Sequence, residues 1–162
     1  MTKKYELVLD DTISFWGWKL FRIRALISFG SVEVGDLGGY IQKEENLSHD
    51  DNAWVWGDAK VWGDAEVWGD AEVSGNAKVS GNAEVSGNAK VSELGDIIVF
   101  KNHWSSGRHF TYTKSNKMWK VGCFYGTGQE LIEKAYRDSE KSGNYYKAYV
   151  DFVETLERLS EE

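Results

Sequence analysis

From Ala53 to Ser92 the chain repeats itself every six residues, reading AWVWGD, AKVWGD, AEVWGD, AEVSGN, AKVSGN, AEVSGN and AKVSEL. So short and regular a period restricts the chain to a repetitive stacked architecture, because one unit cannot bury its own apolar face. Val55, Val61, Val67, Val73, Val79, Val85 and Val91 share one phase. Ala53, Ala59, Ala65, Ala71, Ala77, Ala83 and Ala89 lie two residues earlier, as two inward positions of a short strand must. The Gly-Asp or Gly-Asn pair that follows is turn chemistry, since these residues tolerate positive φ. Each hexad therefore reads as a short strand plus a corner, with the residues after Ala and after Val facing outward.

This pattern resembles the hexapeptide repeat of left-handed parallel β-helices, in which three strand-plus-corner units make one triangular coil. It is similar to the hexapeptide-repeat acyltransferases. It is more closely similar to phage and prophage β-helix proteins, on the stretch LFRIRALISFGSVEVGDLGGYIQKEENLSHDDNAWV and, more weakly, VGCFYGTGQELIEKA. The resemblance implies a mainly β fold: a short left-handed parallel β-helix over 41–95, an N-terminal β-hairpin cap over 1–40, and a C-terminal β-hairpin with a two-helix α+β cap over 96–162. It also implies that residues 18 apart stack. Lys60 then lies under Lys78, Glu66 under Glu84 and Glu72 under Lys90, while Trp56, Trp62 and Trp68 girdle one coil.

The 162 residues fit one domain with appendages and suffice for a core. Eight Trp, eight Tyr and no Pro argue against disorder. The single Cys123 excludes an internal disulfide framework and fits a reducing compartment. No run suits a membrane span or a leader, so a cytoplasmic location is expected, in the host bacterium if the chain is phage-encoded.

The formal charge of −7 is unevenly spread. Residues 50–95 hold nine acids and three bases, whereas 97–127 hold Lys101, Arg108, Lys114, Lys117 and Lys120 and no acid. At the C-terminal end, Thr127 and Glu130 have the spacing of a capping box. Leu131, Ile132, Ala135 and Tyr136 give the following helix an apolar face. Ser142-Gly143-Asn144 is expected to end that helix and cap the next.

Catalytic residues are not expected. His49, His103 and His109 all lie outside the strict repeat, and a lone Cys123 in an alternating strand reads as a small core residue. Asp50, Asp51, Asn52 and Asp58 match no cation-loop spacing, and neither metal nor cofactor is expected. Trp54, Trp56, Trp62 and Trp68 point outward in this reading, where Trp is costly unless it packs or binds. Together with Asp58, Asp64 and Asp70 they are the candidate partner-binding residues. The five bases of 97–127, interleaved with Trp104, Phe110, Tyr112 and Trp119, form a second candidate contact surface. The expected function is non-enzymatic binding of a macromolecule, as a phage-encoded inhibitor of a bacterial defence complex of the anti-CRISPR type that occupies a binding surface. The expected partner is a protein, with a nucleic-acid-handling complex as the first candidate. Direct nucleic-acid binding ranks lower, homo-oligomers remain open, and no membrane partner is expected. A structural or self-assembling phage component and an acyltransferase-like enzyme are the alternatives.

Overall fold

The computed structural model describes residues 3–162. Two antiparallel strands, β1 (Tyr5–Phe15) and β2 (Trp18–Ala25), open the chain. They join through the two-residue loop Trp16-Gly17, with φ of 49° and 83°, the double positive φ that suits the right-handed twist of a hairpin. A shift of register between Val8 and Thr12 interrupts the ladder. β3 (Leu37–Ile41) pairs antiparallel with β2. Gly38 and Gly39 let it lie flush on the repeat: a Cβ on Gly38 would stand 2.5 Å from the Val55 carbonyl oxygen, and one on Gly39 2.6 Å from that of Ala59.

The hexads supply seven two-residue strands: β4 (Trp54–Val55), β5 (Lys60–Val61), β6 (Glu66–Val67), β7 (Glu72–Val73), β8 (Lys78–Val79), β9 (Glu84–Val85) and β10 (Lys90–Val91). Pairing is parallel between residues 18 apart, in three separate ladders: β4–β7–β10, β6–β9, and β5–β8, which continues from β3. All the repeat Ala and Val residues are at most 1% exposed and share one core. Between ladders the chain turns at a glycine of positive φ, from 57° at Gly75 to 72° at Gly69.

The expectation of a mainly β chain built on one left-handed β-helix is corrected here. Among the described residues the fold is mixed α+β, with four separate sheets of two to five strands and two α-helices, and no sheet closes on itself. The reason is local. Two-residue strands end at a positive-φ corner, so strand pairing runs only within a ladder, while the corners are closed by turn bonds such as Ala77 N–H to the Ser74 carbonyl at 3.1 Å. The largest sheet is made mixed by the antiparallel strands β1 to β3.

Beyond the repeat, β11 (Ile97–Lys101), β12 (His109–Thr113), β13 (Met118–Val121) and β14 (Phe124–Thr127) form an antiparallel sheet where a single hairpin was expected. The difference is the Gly122-Cys123 turn, with Gly122 at φ 55°, which folds the second half back. The sheet caps two ladder ends with hydroxyls: Glu84 N–H donates to Thr111 Oγ1 (2.9 Å) and Lys90 N–H to Ser115 Oγ (2.8 Å).

The helix α1 (Gly128–Asp138) starts at the Thr127–Glu130 capping box. α2 (Glu140–Ser160) starts at Ser139, whose Oγ accepts from Ser142 N–H, and runs through Ser142-Gly143-Asn144. The expected boundary there gives way to a packing role for Gly143, where a Cβ would stand 2.1 Å from Tyr136 Cδ1. Phe110, Tyr112, Trp119, Val121, Leu131, Val150 and Val153 form the second core. No helix among the described residues is long and apolar enough to cross a membrane.

Candidate partner-binding surfaces

The outward positions after Ala53 and after Val55, Val61 and Val67 do not make the tryptophans free. Trp54 is 1% exposed, with Tyr5 and Phe29 edge-on at 6.2 and 5.3 Å. Trp62 is 8% exposed beneath Phe15, Leu20 and Tyr40. Both are removed from the candidate binding residues, because the N-terminal hairpin covers the faces on which they lie. Trp56 and Trp68 are half-buried, and Lys120 Nζ lies 5.8 Å from the Trp68 ring centroid.

Asp58, Asp64 and Asp70 are exposed on different corners and form no row. Asp58 pairs with Arg22 and Asp64 with Lys43, each at 3.4 Å, but their side chains stay 80% and 79% exposed. Pairs so open contribute little to stability.

The 18-residue register gives each ladder its own outer charge. Glu72 and Lys90 form an ion pair at 3.7 Å. Lys60 and Lys78 are register neighbours, and both ammonium groups lie over the Phe15 ring, at 5.5 and 6.0 Å. Glu66 and Glu84 are likewise neighbours. Burial raises the pKa of Glu84, Lys120 pulls it down, and Glu66 pushes it up again.

The Glu66–Glu84 pair floors a cleft of about 620 Å³ between Lys43 and Glu45 on one side and Arg108, His109 and Gly122 on the other. Its walls carry both signs of charge. The five bases of 97–127 do not form one surface. Lys117 pairs with Glu157 at 3.4 Å while staying largely exposed, Lys114 Nζ reaches Ser160 Oγ at 3.3 Å, Lys120 donates to the Gly122 carbonyl, and Lys101 and Arg108 are exposed.

The three histidines are dispersed. His49 accepts from the Lys4 N–H at 3.0 Å, meets Glu44 Oε1 at 3.0 Å and stacks on Tyr5. His103 meets the Tyr149 hydroxyl at 2.5 Å, and His109 meets Asn82 at 3.4 Å. Cys123 is exposed in the β13–β14 turn, not in a strand core. Among the described residues no three His, Cys, Asp or Glu side chains converge as a metal site would require.

The most exposed large hydrophobic side chain among the described residues lies outside the repeat. Trp16, at the tip of the β1–β2 hairpin, is 83% exposed and sits at φ 49°. Phe15 stacks on it at 5.0 Å and 12° and is itself braced by Trp62. Trp18 beside it is 40% exposed. The signal was present in sequence as Trp-Gly between two strand patterns, a two-residue loop whose first position asks for Asn, Asp or Gly.

No protein-family model matches the chain, and no curated protein matches it either. The resemblance to hexapeptide-repeat acyltransferases and to phage β-helix proteins is therefore withdrawn, as are the phage and anti-CRISPR assignments that depended on it. What remains is the geometry of the chain's own surfaces.

Proposed function

We propose that this chain is a non-enzymatic binding protein that engages a protein partner through the β1–β2 hairpin tip and acts by occupying the partner's surface. The observation that carries the reading is Trp16, an aromatic side chain 83% exposed on a backbone of positive φ. A bulky residue there is strained by about 1 to 2 kcal/mol, and strain of this kind concentrates at clamps and binding sites. Trp is also the residue type most favoured as a buried interface anchor.

The support behind Trp16 is preorganised. Phe15 stacks beneath it, Trp62 holds Phe15 edge-on at 5.1 Å, and Trp62 belongs to the buried repeat. An anchor fixed in advance loses less conformational entropy on binding. Lys60 and Lys78 flank the same Phe15 ring, so the fitting partner offers an apolar pocket edged by carboxylates. Asp58, Asp64 and Asp70 face outward from separate corners, which suits secondary contacts better than imitation of a phosphate row.

Affinity capture with quantitative mass spectrometry tests this, comparing the wild type, Trp16→Ala, and the triple change of Asp58, Asp64 and Asp70 to Asn. The expected outcome is a stoichiometric protein that Trp16→Ala loses and the triple variant keeps. If wild type and Trp16→Ala capture the same proteins in the same amounts, the hairpin tip is not the binding site.

A further inference from the structure

We infer that α2 carries a docking seam for a second copy of this chain, joined antiparallel. The helix buries one face, with Val150 and Val153 at most 3% exposed and Gly143 against Tyr136. Next to that face runs another set of positions: Tyr145, Ala148, Phe152, Thr155 and Leu159, spaced three, four, three and four residues apart. That spacing is the two-per-heptad seam of paired helices, confined to a narrow stripe. Phe152 is 54% and Leu159 58% exposed, and Ala148 and Thr155 also face solvent. Ala and Thr are small enough to act as holes for the larger side chains.

Among the described residues no element covers the stripe along its length, and Ala148, Phe152, Thr155 and Leu159 are all exposed. Its first residue, Tyr145, stacks on Trp104 at 4.5 Å, and Thr155 Oγ1 bonds only within its own helix, to the Asp151 carbonyl and from Arg158. Phe152 meets Phe100 edge-on at 6.3 Å but remains more than half open. A lone exposed Leu or Phe needs no explanation, but two in heptad phase with small residues between them form a pattern.

Charge selects the occupant and its direction. Lys141 lies one heptad before Ala148, while Glu161 and Glu162 follow Leu159. A parallel second copy would set Lys141 against Lys141 and the acids against the acids. An antiparallel copy centred near Phe152 sets Lys141 of each chain against the acids of the other and packs Leu159 towards Tyr145. Such an interface is self-complementary, as a two-fold dimer requires. Two heptads make a small seam, so the dimer is weak and concentration-dependent.

Sedimentation velocity from low to high micromolar concentration, with far-ultraviolet circular dichroism to confirm folding, tests the seam. The wild type is expected to shift from monomer to dimer. Leu159→Glu and Phe152→Glu are expected to raise the dissociation constant about tenfold or more, the equivalent of roughly 1.4 kcal/mol. Lys141→Glu weakens the dimer, and combining it with Glu161→Lys and Glu162→Lys restores it. Should Phe152→Glu unfold through its contact with Phe100, Leu159→Glu decides alone. A strict monomer throughout, a dimer indifferent to Leu159→Glu, a failed charge restoration, or a dimer abolished by Trp16→Ala would each overturn the inference. The last outcome would place self-association at the hairpin tip.

Discussion

Replacing Trp16 with Asn should expose a conflict between stability and binding. At φ 49° beside Gly17 at φ 83°, the loop asks for Asn-Gly. Trp instead carries a left-handed backbone penalty of about 1 to 2 kcal/mol. It recovers part of this by stacking on Phe15 at 5.0 Å, a contact worth about 0.5 to 1.5 kcal/mol. Trp16→Ala loses the stack and keeps most of the strain, so it should destabilise by about 0.5 to 1.5 kcal/mol. Trp16→Asn loses the same stack but relieves the strain, and should fall near the wild type or up to about 1 kcal/mol above it. Urea and thermal denaturation followed by circular dichroism read the difference. Asn should exceed Ala by about 1 kcal/mol, or some 2 to 4 °C in Tm for a domain of this size. Both variants should lose the partner. If Asn is no more stable than Ala, Trp16 is unstrained and the case for a residue kept at the tip for binding loses its physical basis.

Other outcomes follow from the buried polar groups and the ladder register. Asn46 is fully buried; its Oδ1 accepts from the Gln42 and Lys43 N–H groups, and its Nδ2 donates to the Gly63 and Ala65 carbonyls. Losing four bonds at about 0.5 to 1.5 kcal/mol each, Asn46→Ala should lower the unfolding free energy by about 2 to 6 kcal/mol in urea titrations. Asn46→Asp aims a carboxylate at two carbonyls, which raises that group's folded pKa; its deficit relative to wild type should shrink as pH falls. Burial lowers the Lys4 pKa from 10.5 to about 8, with Asp51 and Asp50 opposing. Between those values the unfolded chain binds more protons at this group, so its stabilising contribution is complete above 10.5 and lost as pH falls through 8. The stability of wild type minus Lys4→Met should therefore rise from pH 8 towards 10. Lys78→Glu converts the Lys60–Lys78 neighbours into opposite charges, a gain of about 0.2 to 1 kcal/mol, but gives up the Lys78 ammonium over Phe15, a loss of about 0.5 to 1 kcal/mol, so the same titrations should place it within about 0.5 kcal/mol of the wild type.

How much could be read from sequence depended on whether the signal was local. The Ala and Val phases gave the buried positions, since a period of six with two inward residues leaves no other face for them. Thr127 and Glu130 gave the start of α1, because a capping box is contained in four residues. The tryptophans misled because outward from a strand is not outward from a molecule. Trp54 and Trp62 are covered by Tyr5, Phe15, Leu20, Phe29 and Tyr40, all from the segments before the repeat and more than 20 residues away in sequence, and no periodicity encodes those contacts. Gly143 misled similarly: within the chain it resembles a helix stop, whereas its cause is the Tyr136 ring on the neighbouring helix. The hairpin tip is legible as Trp-Gly, but that the Trp16 side chain stays exposed depends on Phe15 and Trp62 packing beneath it.

The like-charged neighbours of the 18-residue register explain where the appended elements dock. The sequence of outward residues after Ala, Lys60, Glu66, Glu72, Lys78, Glu84 and Lys90, yields one basic ladder, one acidic ladder and one balanced ladder when read with a step of three hexads. Like charges in adjacent strands repel unless something compensates them. On the basic ladder the compensation is the Phe15 ring under both ammonium groups, so the N-terminal hairpin settles there. On the acidic ladder it comes from the base-rich β12–β13 region, with Lys120 over Trp68 and opposing the upward shift at Glu84, and with Arg108 and His109 at the cleft wall. The balanced Glu72–Lys90 pair already compensates itself. A repeat with every pair neutralised would offer the caps three equivalent faces. The mismatched pairs make the faces distinct, and that distinction places the hairpin carrying Trp16 on the basic ladder.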